Sequence, residues 1–184
     1  FIHGAQQNIL GYCYFAEGEY QLSREALARA NHYHAQCNST YGVVYSQCFS
    51  ALVEMAIGDL SRAEQLFSLA EKTAELEESW RSYISAEPSL YRGCILYEWN
   101  QIEDARELLE QNLPYVEQCS QASAPILGHI VMAKLCWREG NRSEAYAHLE
   151  IMDLDGQELF RGWMIASSPA LSALEHPRYD LWVL

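Results

Sequence analysis

A pattern of two helices joined by a tight turn recurs four times along this chain of 184 residues. The clearest copy runs from Leu96 to Leu109, where one helix ends and the next begins around Asn100. The other turns fall at Gly18, Gly58 and Gly140, so successive turns are 40, 42 and 40 residues apart. A regular period of this length predicts a solenoid of helical hairpins, because one hairpin cannot bury its apolar face alone.

Positions counted from each turn residue keep the same size in all four copies. A small residue stands seven before the turn and another stands five after it, while a large apolar residue stands nine after it. In order, these sets are Gly11, Ala51, Gly93 and Ala133; Ser23, Ala63, Ala105 and Ala145; and Leu27, Phe67, Leu109 and Leu149. Small residues on both helices allow a close approach within a hairpin, and the large residue fills the gap towards the next pair.

The sequence therefore predicts an all-α solenoid of four hairpins of about 40 residues, covering roughly 6–33, 41–76, 87–118 and 122–152. Pro88 is expected in the first turn of the third hairpin, and Pro114 is expected to kink or shorten that hairpin's second helix. The pattern fades after Asp153. Residues 153–184 are expected to form an irregular segment with one or two short helices, roughly 157–166 and 170–174.

The order small, turn, small, large apolar is similar to that of tetratricopeptide repeats, which usually take about 34 residues. The longer period and the phrase LYEWNQIEDA at residues 96–105 resemble the sensor region of MalT-like, ATP-dependent LuxR-family transcriptional regulators. This resemblance covers roughly residues 1–152. It implies a right-handed superhelix in a bacterial, cytoplasmic regulator, where it receives a small-molecule or protein effector and controls self-association.

The same resemblance implies an N-terminal ATPase module and a C-terminal helix-turn-helix module in a longer parent chain. This sequence has neither a G-x-x-x-x-G-K-[ST] phosphate loop nor a basic recognition helix. ATP is therefore expected only in the missing N-terminal module, and no cofactor is expected in this fragment.

The formal net charge of −13 argues against direct contact with nucleic acid and against an anionic membrane surface. No apolar run approaches the roughly 20 residues that span a bilayer. The six cysteines form no C-x-x-C motif, which favours reduced thiols in a cytosolic protein.

Catalytic and metal-binding motifs are not found in the sequence. His32 and His34 would point to different faces of a helix. His34 and Cys37 could share a face, but two ligands do not make a zinc site. No G-x-S-x-G elbow occurs, and the acidic pair Glu103-Asp104 suits a helix N-terminus. We therefore expect neither an enzyme nor a metal site.

Bulky and charged residues on the first helix of each hairpin are the candidates for a binding groove, since the resemblance places these helices on the concave face. The candidate residues are Tyr12, Phe15, Met55, Tyr97, Glu98, Lys134, Trp137 and Arg138. An aromatic stripe with occasional charges suits a sugar, a small aromatic compound or a peptide. A bulky stripe at helical spacing is more often core, so packing between neighbouring first helices is the competing interpretation.

Two charged residues, Glu54 and Arg92, stand at positions where the sibling hairpins carry mostly apolar residues. They could form a buried ion pair between repeats, or a register shift could place both in water. The sequence favours an effector-sensing and protein-interaction domain of a MalT-type regulator. The alternative is a plain tetratricopeptide scaffold that grips a peptide or partner protein, and a weaker third interpretation is an enzyme.

Overall fold

The computed structural model describes residues 1–77, 81–119 and 123–151, and the described residues form helices and short links with no strand. Seven helices have defined bounds, and an eighth helix, α8, covers residues 142–151. The seven are α1 (Ile2–Ala16), α2 (Tyr20–Gln36), α3 (Thr40–Ala56), α4 (Leu60–Ala74), α5 (Arg81–Glu98), α6 (Ile102–Cys119) and α7 (Ser123–Arg138). The predicted all-α class is confirmed.

The first helix of each hairpin ends at a residue in the left-handed conformation. The φ angles are +78° at Gly18, +88° at Gly58, +60° at Asn100 and +84° at Gly140. Glycine adopts this conformation without strain, and asparagine adopts it more readily than other L-residues. The four predicted turns therefore lie where the residue types require them.

Each of these turns is closed by the same pair of backbone hydrogen bonds. In the first hairpin, the Gly18 N–H donates to the Phe15 carbonyl at 3.0 Å and the Glu19 N–H donates to the Tyr14 carbonyl at 2.8 Å. This pair is the Schellman motif, which satisfies the last carbonyl groups of a helix. The other three turns repeat both bonds at 2.9–3.0 Å.

The residue that completes each turn also begins the next helix. The carbonyl groups of these residues accept the first bond of the following helix at 2.9–3.1 Å, and the residues are Glu19, Asp59, Gln101 and Asn141. Asp59 adds a side-chain cap, since its Oδ1 accepts the Arg62 N–H at 2.9 Å. The residue directly after each left-handed turn residue thus already belongs to the N-terminal cap of the next helix.

The predicted small positions are where the two helices of a hairpin touch. A Cβ atom at Gly11 would lie 2.6 Å from Leu27 Cγ, and one at Gly93 would lie 3.0 Å from Leu109 Cγ. Leu27 and Leu109 are fully buried. In the second hairpin the large residue, Phe67, also reaches the next hairpin and stacks on Tyr91 with ring centroids 5.2 Å apart.

The hairpins stack side by side, with the odd-numbered helices forming a common layer. Helices α1 and α3, α3 and α5, and α5 and α7 are in contact. Each even-numbered helix from α2 to α6 contacts the odd-numbered helix before it and the one after it. The main core lies between α3 and α7, and a smaller cluster of Leu27, Phe49 and Val53 joins the first two hairpins.

Several helices extend beyond their predicted bounds. Helix α1 begins at Ile2 where the sequence predicted about residue 6, and α5 begins at Arg81 where it predicted about residue 87. Pro88 consequently lies inside α5, where its fully buried ring contributes packing that offsets the missing N–H donor. Helix α6 passes through Pro114 without ending there. The predicted segment 153–184, with its short helices, lies outside the described residues.

The proposed pair between Glu54 and Arg92 is wrong, because each residue has another partner. Glu54 accepts two hydrogen bonds from Arg24 of α2, at 2.9 Å from Nε and 2.6 Å from Nη2. Glu54 is 8% exposed, so this bidentate pair neutralises a buried carboxylate. The sequence analysis missed Arg24 as the partner of Glu54. Only the folded structure shows that α2 packs against α3 beside Glu54.

Arg92 and Arg106 form the corresponding bridges at the next two seams between hairpins. Arg92 on α5 donates to Glu71 at 2.5 Å and to Glu64 at 3.1 Å, both on α4. Arg106 on α6 lies 2.6 Å from Glu139, the residue that follows α7. Each seam between consecutive hairpins therefore carries at least one arginine–glutamate bridge.

Replacing Gly58 by alanine should destabilise the fold by about 1–2 kcal/mol, because an L-residue is strained in the left-handed conformation. Nothing lies within 4 Å of the position of the added Cβ, so a steric clash contributes no cost. Gly58→Asn should cost less, since Asn100 occupies the equivalent turn. Urea unfolding of the three proteins measures both values, and an equal cost for the two variants would contradict the turn assignment.

Replacing Arg24 by alanine should destabilise the fold by about 1–3 kcal/mol, because the buried Glu54 carboxylate loses its charged partner. Adding Glu54→Leu should restore part of that loss, since the unpaired carboxylate is then gone. Arg62→Ala, an exposed arginine on α4, is the control and should change stability by less than about 0.5 kcal/mol. A double variant no more stable than Arg24→Ala would show that the unpaired carboxylate is not the cause of the loss.

Candidate functional site

The eight predicted groove residues all lie on odd-numbered helices, which share one layer of the solenoid. Two lie on α1, one on α3, two on α5 and three on α7. Glu98 and Arg138 are exposed, and the other six are partly buried. Tyr12 and Phe15 pack against the cluster of Leu27, Phe49 and Val53, and Met55 packs against the main core. The five residues on α5 and α7 form a second group.

A row of six aromatic rings runs across the first two hairpins; we call it the ring row. Its members in spatial order are Tyr41, Tyr45, Phe49, Tyr12, Phe15 and Tyr20. Successive ring centroids are 5.7, 4.5, 5.3, 6.4 and 6.2 Å apart. Tyr41 at one end of the ring row is 59% exposed, while Phe49 in its middle is buried. The ring row is therefore packed in its middle and exposed to solvent at one end.

The sequence analysis missed four members of the ring row, which are Tyr20 on α2 and Tyr41, Tyr45 and Phe49 on α3. Tyr41, Tyr45 and Phe49 are spaced four residues apart, which places them along one face of a helix. These three rings lie 9, 13 and 17 residues before the turn at Gly58, whereas the groove candidates lie two, three and six residues before their turns. The four-residue aromatic spacing on its own would have found them.

Two tyrosines of the ring row, Tyr12 and Tyr45, keep their phenol protons over a wide range of pH. Burial raises the pKa of Tyr45 well above its ordinary value, and the carboxylate of Glu87 raises it further. Burial also raises the pKa of Tyr12. These side chains are therefore neutral groups with one polar atom each, which suits an uncharged ligand better than an anion.

The second group lies where α5, α7 and α8 meet. The Lys134 ammonium lies 5.7 Å from the centroid of the Tyr97 ring, and the Arg142 guanidinium lies 5.1 Å from that of Trp137. Arg138 donates to the Asn100 side chain at 2.8 Å. Of the two predicted cations, Lys134 is therefore held by a cation–π contact and Arg138 by a hydrogen bond.

His34, which was considered as a metal ligand with Cys37, is a core residue. Its ring lies between Gly4 and Gly42, where an added Cβ would fall 2.7 Å and 2.1 Å from ring atoms. Asn8 connects the ring to α3, with its amide 3.3 Å from His34 Nε2 and 2.9 Å from Ser46 Oγ. Burial lowers the pKa of His34. His34 therefore joins α1, α2 and α3 as a neutral ring.

A different set of residues brings metal-ligating atoms together. One ligand atom each from Cys136, Glu144 and His148 lie within 4.8 Å of one another. These residues come from α7 and α8, so their spacing in sequence follows no short zinc motif. The five cysteines whose side chains the structure describes are all free thiols.

Comparison with protein families decides the assignment. Residues 1–167 match the family model described as the MalT-like TPR region. The chain belongs to this family. The match confirms the resemblance seen in the sequence and extends some way beyond the predicted limit at residue 152. Comparison with curated proteins finds no match.

An all-helical repeat domain such as this MalT-like TPR region is typically a non-catalytic scaffold. None of the helices in the described parts of the MalT-like TPR region is both long enough and apolar enough to cross a membrane. The ring row is the main candidate for a functional surface in this domain.

The stability of this MalT-like TPR region should fall as the pH drops below about 6.5, because the unfolded chain then binds protons that the buried His34 does not. A folded pKa below the unfolded one means that this share of the stability is present above pH 6.5 and lost in acid. Urea unfolding at about pH 7.5 and about pH 5.5 measures the slope. His34→Gln should flatten the slope, whereas His32→Gln, an exposed histidine on the same helix, should not; equal slopes in all three proteins would refute the assignment.

Proposed function

We propose that this domain is the effector-sensing and protein-interaction superhelix of a bacterial MalT-type, LuxR-family transcriptional regulator. The ring row is the observation that carries the proposal, with membership of the MalT-like TPR region family supporting the regulator context. The effector would bind along the ring row from the exposed end at Tyr41.

The chemistry of the ring row supports an uncharged effector with an apolar face. Adjacent rings restrain one another, so little side-chain entropy would be lost on binding. The phenols of Tyr12 and Tyr45 are neutral, and a neutral hydroxyl can both donate and accept a hydrogen bond. A sugar or a small aromatic compound combines these two needs, because it offers a flat apolar face and hydrogen-bonding groups at its edge.

The position of the ring row supports a signalling role. Its members come from α1, α2 and α3, so an effector would contact two hairpins at once. An effector shifts a conformational equilibrium only if it binds one arrangement better than the other. An effector that contacts two hairpins would have such a preference, because its contacts depend on the angle between the hairpins. The resulting change would control self-association of the regulator.

In this proposal the domain itself performs no catalysis. ATP would be bound by an N-terminal module of the parent regulator, and DNA by a C-terminal helix-turn-helix module. The acidic net charge of −13 supports a domain that touches neither nucleic acid nor membrane lipid directly. These features also favour a cytoplasmic location.

The alternative function is a scaffold that grips a peptide or partner protein, and the second group of residues favours it. Glu98 and Arg138 are exposed and lie near Tyr97. Burial raises the pKa of Tyr97, Glu98 raises it further, and Arg138 lowers it. Paired charges beside an aromatic ring suit a peptide, which carries both signs of charge and apolar side chains.

The sensing proposal predicts that a neutral oligosaccharide or a small aromatic compound raises the melting temperature of the domain. A ligand present at 100 times its Kd stabilises by about 2.7 kcal/mol. Differential scanning fluorimetry with panels of oligosaccharides, aromatic compounds and peptides measures this effect. Tyr41→Ala should weaken the affinity for the ligand at least about tenfold, a loss of roughly 1.4 kcal/mol of binding free energy.

Tyr33→Ala is the matched control, because Tyr33 is also a partly exposed tyrosine but lies on α2 outside the ring row. It should leave the ligand response unchanged. Stabilisation by peptides alone, with no response to the other two panels, would favour the scaffold. The full reading frame of the parent gene distinguishes the regulator from the scaffold. The regulator requires a phosphate loop upstream of this domain and a helix-turn-helix downstream of it.

A further inference from the structure

Three side chains that can bind a metal ion meet at the end of the described chain, on a surface that the sensing proposal does not use. Cys136 is fully buried on α7, His148 is partly buried on α8, and Glu144 is exposed one turn earlier on α8. Their ligand atoms lie within 4.8 Å of one another. Residues 144 and 148 are four apart, so both face α7 from the same side of their helix.

The His148 ring is held in place by a chain of two further side chains. His148 Nδ1 lies 2.9 Å from His129 Nδ1, and His129 Nε2 lies 2.9 Å from Glu117 Oε1. His129 in the middle of this chain is 4% exposed, while Glu117 at its far end is exposed to solvent. The arrangement matches the pattern in which a metal-binding histidine is oriented through its second ring nitrogen.

The direction of these hydrogen bonds sets which nitrogen of His148 is free. An ionised carboxylate only accepts, so a neutral His129 carries its proton on Nε2 and accepts through Nδ1. His148 must then donate from its own Nδ1. The remaining nitrogen, Nε2, is left as an unprotonated lone pair, which is the form that binds a metal.

The charges around the group suit a divalent cation. A thiolate and a carboxylate together balance two positive charges, and the imidazole is neutral. Arg106 contacts Cys136, but its charge is already paired with Glu110 at 3.0 Å and Glu139 at 2.6 Å. The arginine therefore does not oppose a second cation strongly.

We propose that Cys136, Glu144 and His148 bind a zinc ion or a chemically similar transition-metal ion. Sulfur, imidazole nitrogen and carboxylate oxygen are the three ligand types that zinc prefers, and three protein ligands leave a fourth position for water. Binding releases the Cys136 thiol proton to solvent. The ion ties α8 to α7 and so fixes the end of the last described hairpin.

The test uses the reduced 184-residue chain, stripped of metal with a chelator and then dialysed against micromolar free zinc or cobalt. We expect one tightly held equivalent per chain and, with cobalt, an absorption band from thiolate charge transfer. Cys136→Ser should lose the band and weaken zinc binding by roughly tenfold or more. Cys94→Ser, which removes another buried cysteine, should keep both. Elemental analysis and competition with a chromophoric chelator measure the affinity.

Glu144→Gln gives a second variant that cannot disturb the core, because Glu144 is exposed. It should also weaken zinc binding, and Glu117→Gln should weaken it by about 10–100-fold through the orientation of His148. His32→Ala should have no effect. Retention of no metal by the unaltered chain would overturn the proposal, as would zinc affinities in Cys136→Ser and Glu144→Gln that equal that of the unaltered chain. Either result leaves effector binding at the ring row untouched.

Discussion

The contact between a large side chain on the second helix of a hairpin and a small residue on the first holds the hairpins together. Leu27 occupies the space left by the missing side chain of Gly11, and Leu109 does the same at Gly93. A methyl group at either site would press on a side chain with no free volume behind it. The closeness of the paired helices in turn lets the odd-numbered helices share one layer, and that layer carries the ring row.

The bridges between hairpins specify the order in which they stack. Arg24, Glu64 and Arg106 occupy the same position in their hairpins, six residues after the turn, and each pairs with the next hairpin. The sign of the charge reverses in the second hairpin. If the first hairpin stacked directly on the third, Arg24 would meet Leu96 in place of Glu54. Incorrect neighbours thus leave charges unpaired, which favours the native order.

The architecture could be predicted from sequence because each turn depends on one residue type at one position. Gly18, Gly58, Asn100 and Gly140 adopt left-handed angles that few other residues tolerate, so local chemistry decides where the helices end. The beginning of α5 could not be predicted in this way. Proline is common in the first turn of a helix, and only the tertiary packing of Pro88 shows that it lies deeper.

The candidate sites depend on contacts between helices, and those contacts could not be predicted from the sequence alone. The partner of Glu54, the full ring row and the meeting of Cys136 with His148 all arise from stacking of separate elements. The eight groove residues were found from their periodicity, since they occupy equivalent positions. Whether those residues bind an effector stays a prediction.

The joined turns restrict how the family of such chains can change in length. Because Glu19, Asp59, Gln101 and Asn141 each end one helix and start the next, an inserted or deleted residue there would rotate everything that follows by about a quarter of a turn. Gains and losses of residues are therefore tolerated best between hairpins, as between the end of α4 at Ala74 and the start of α5 at Arg81.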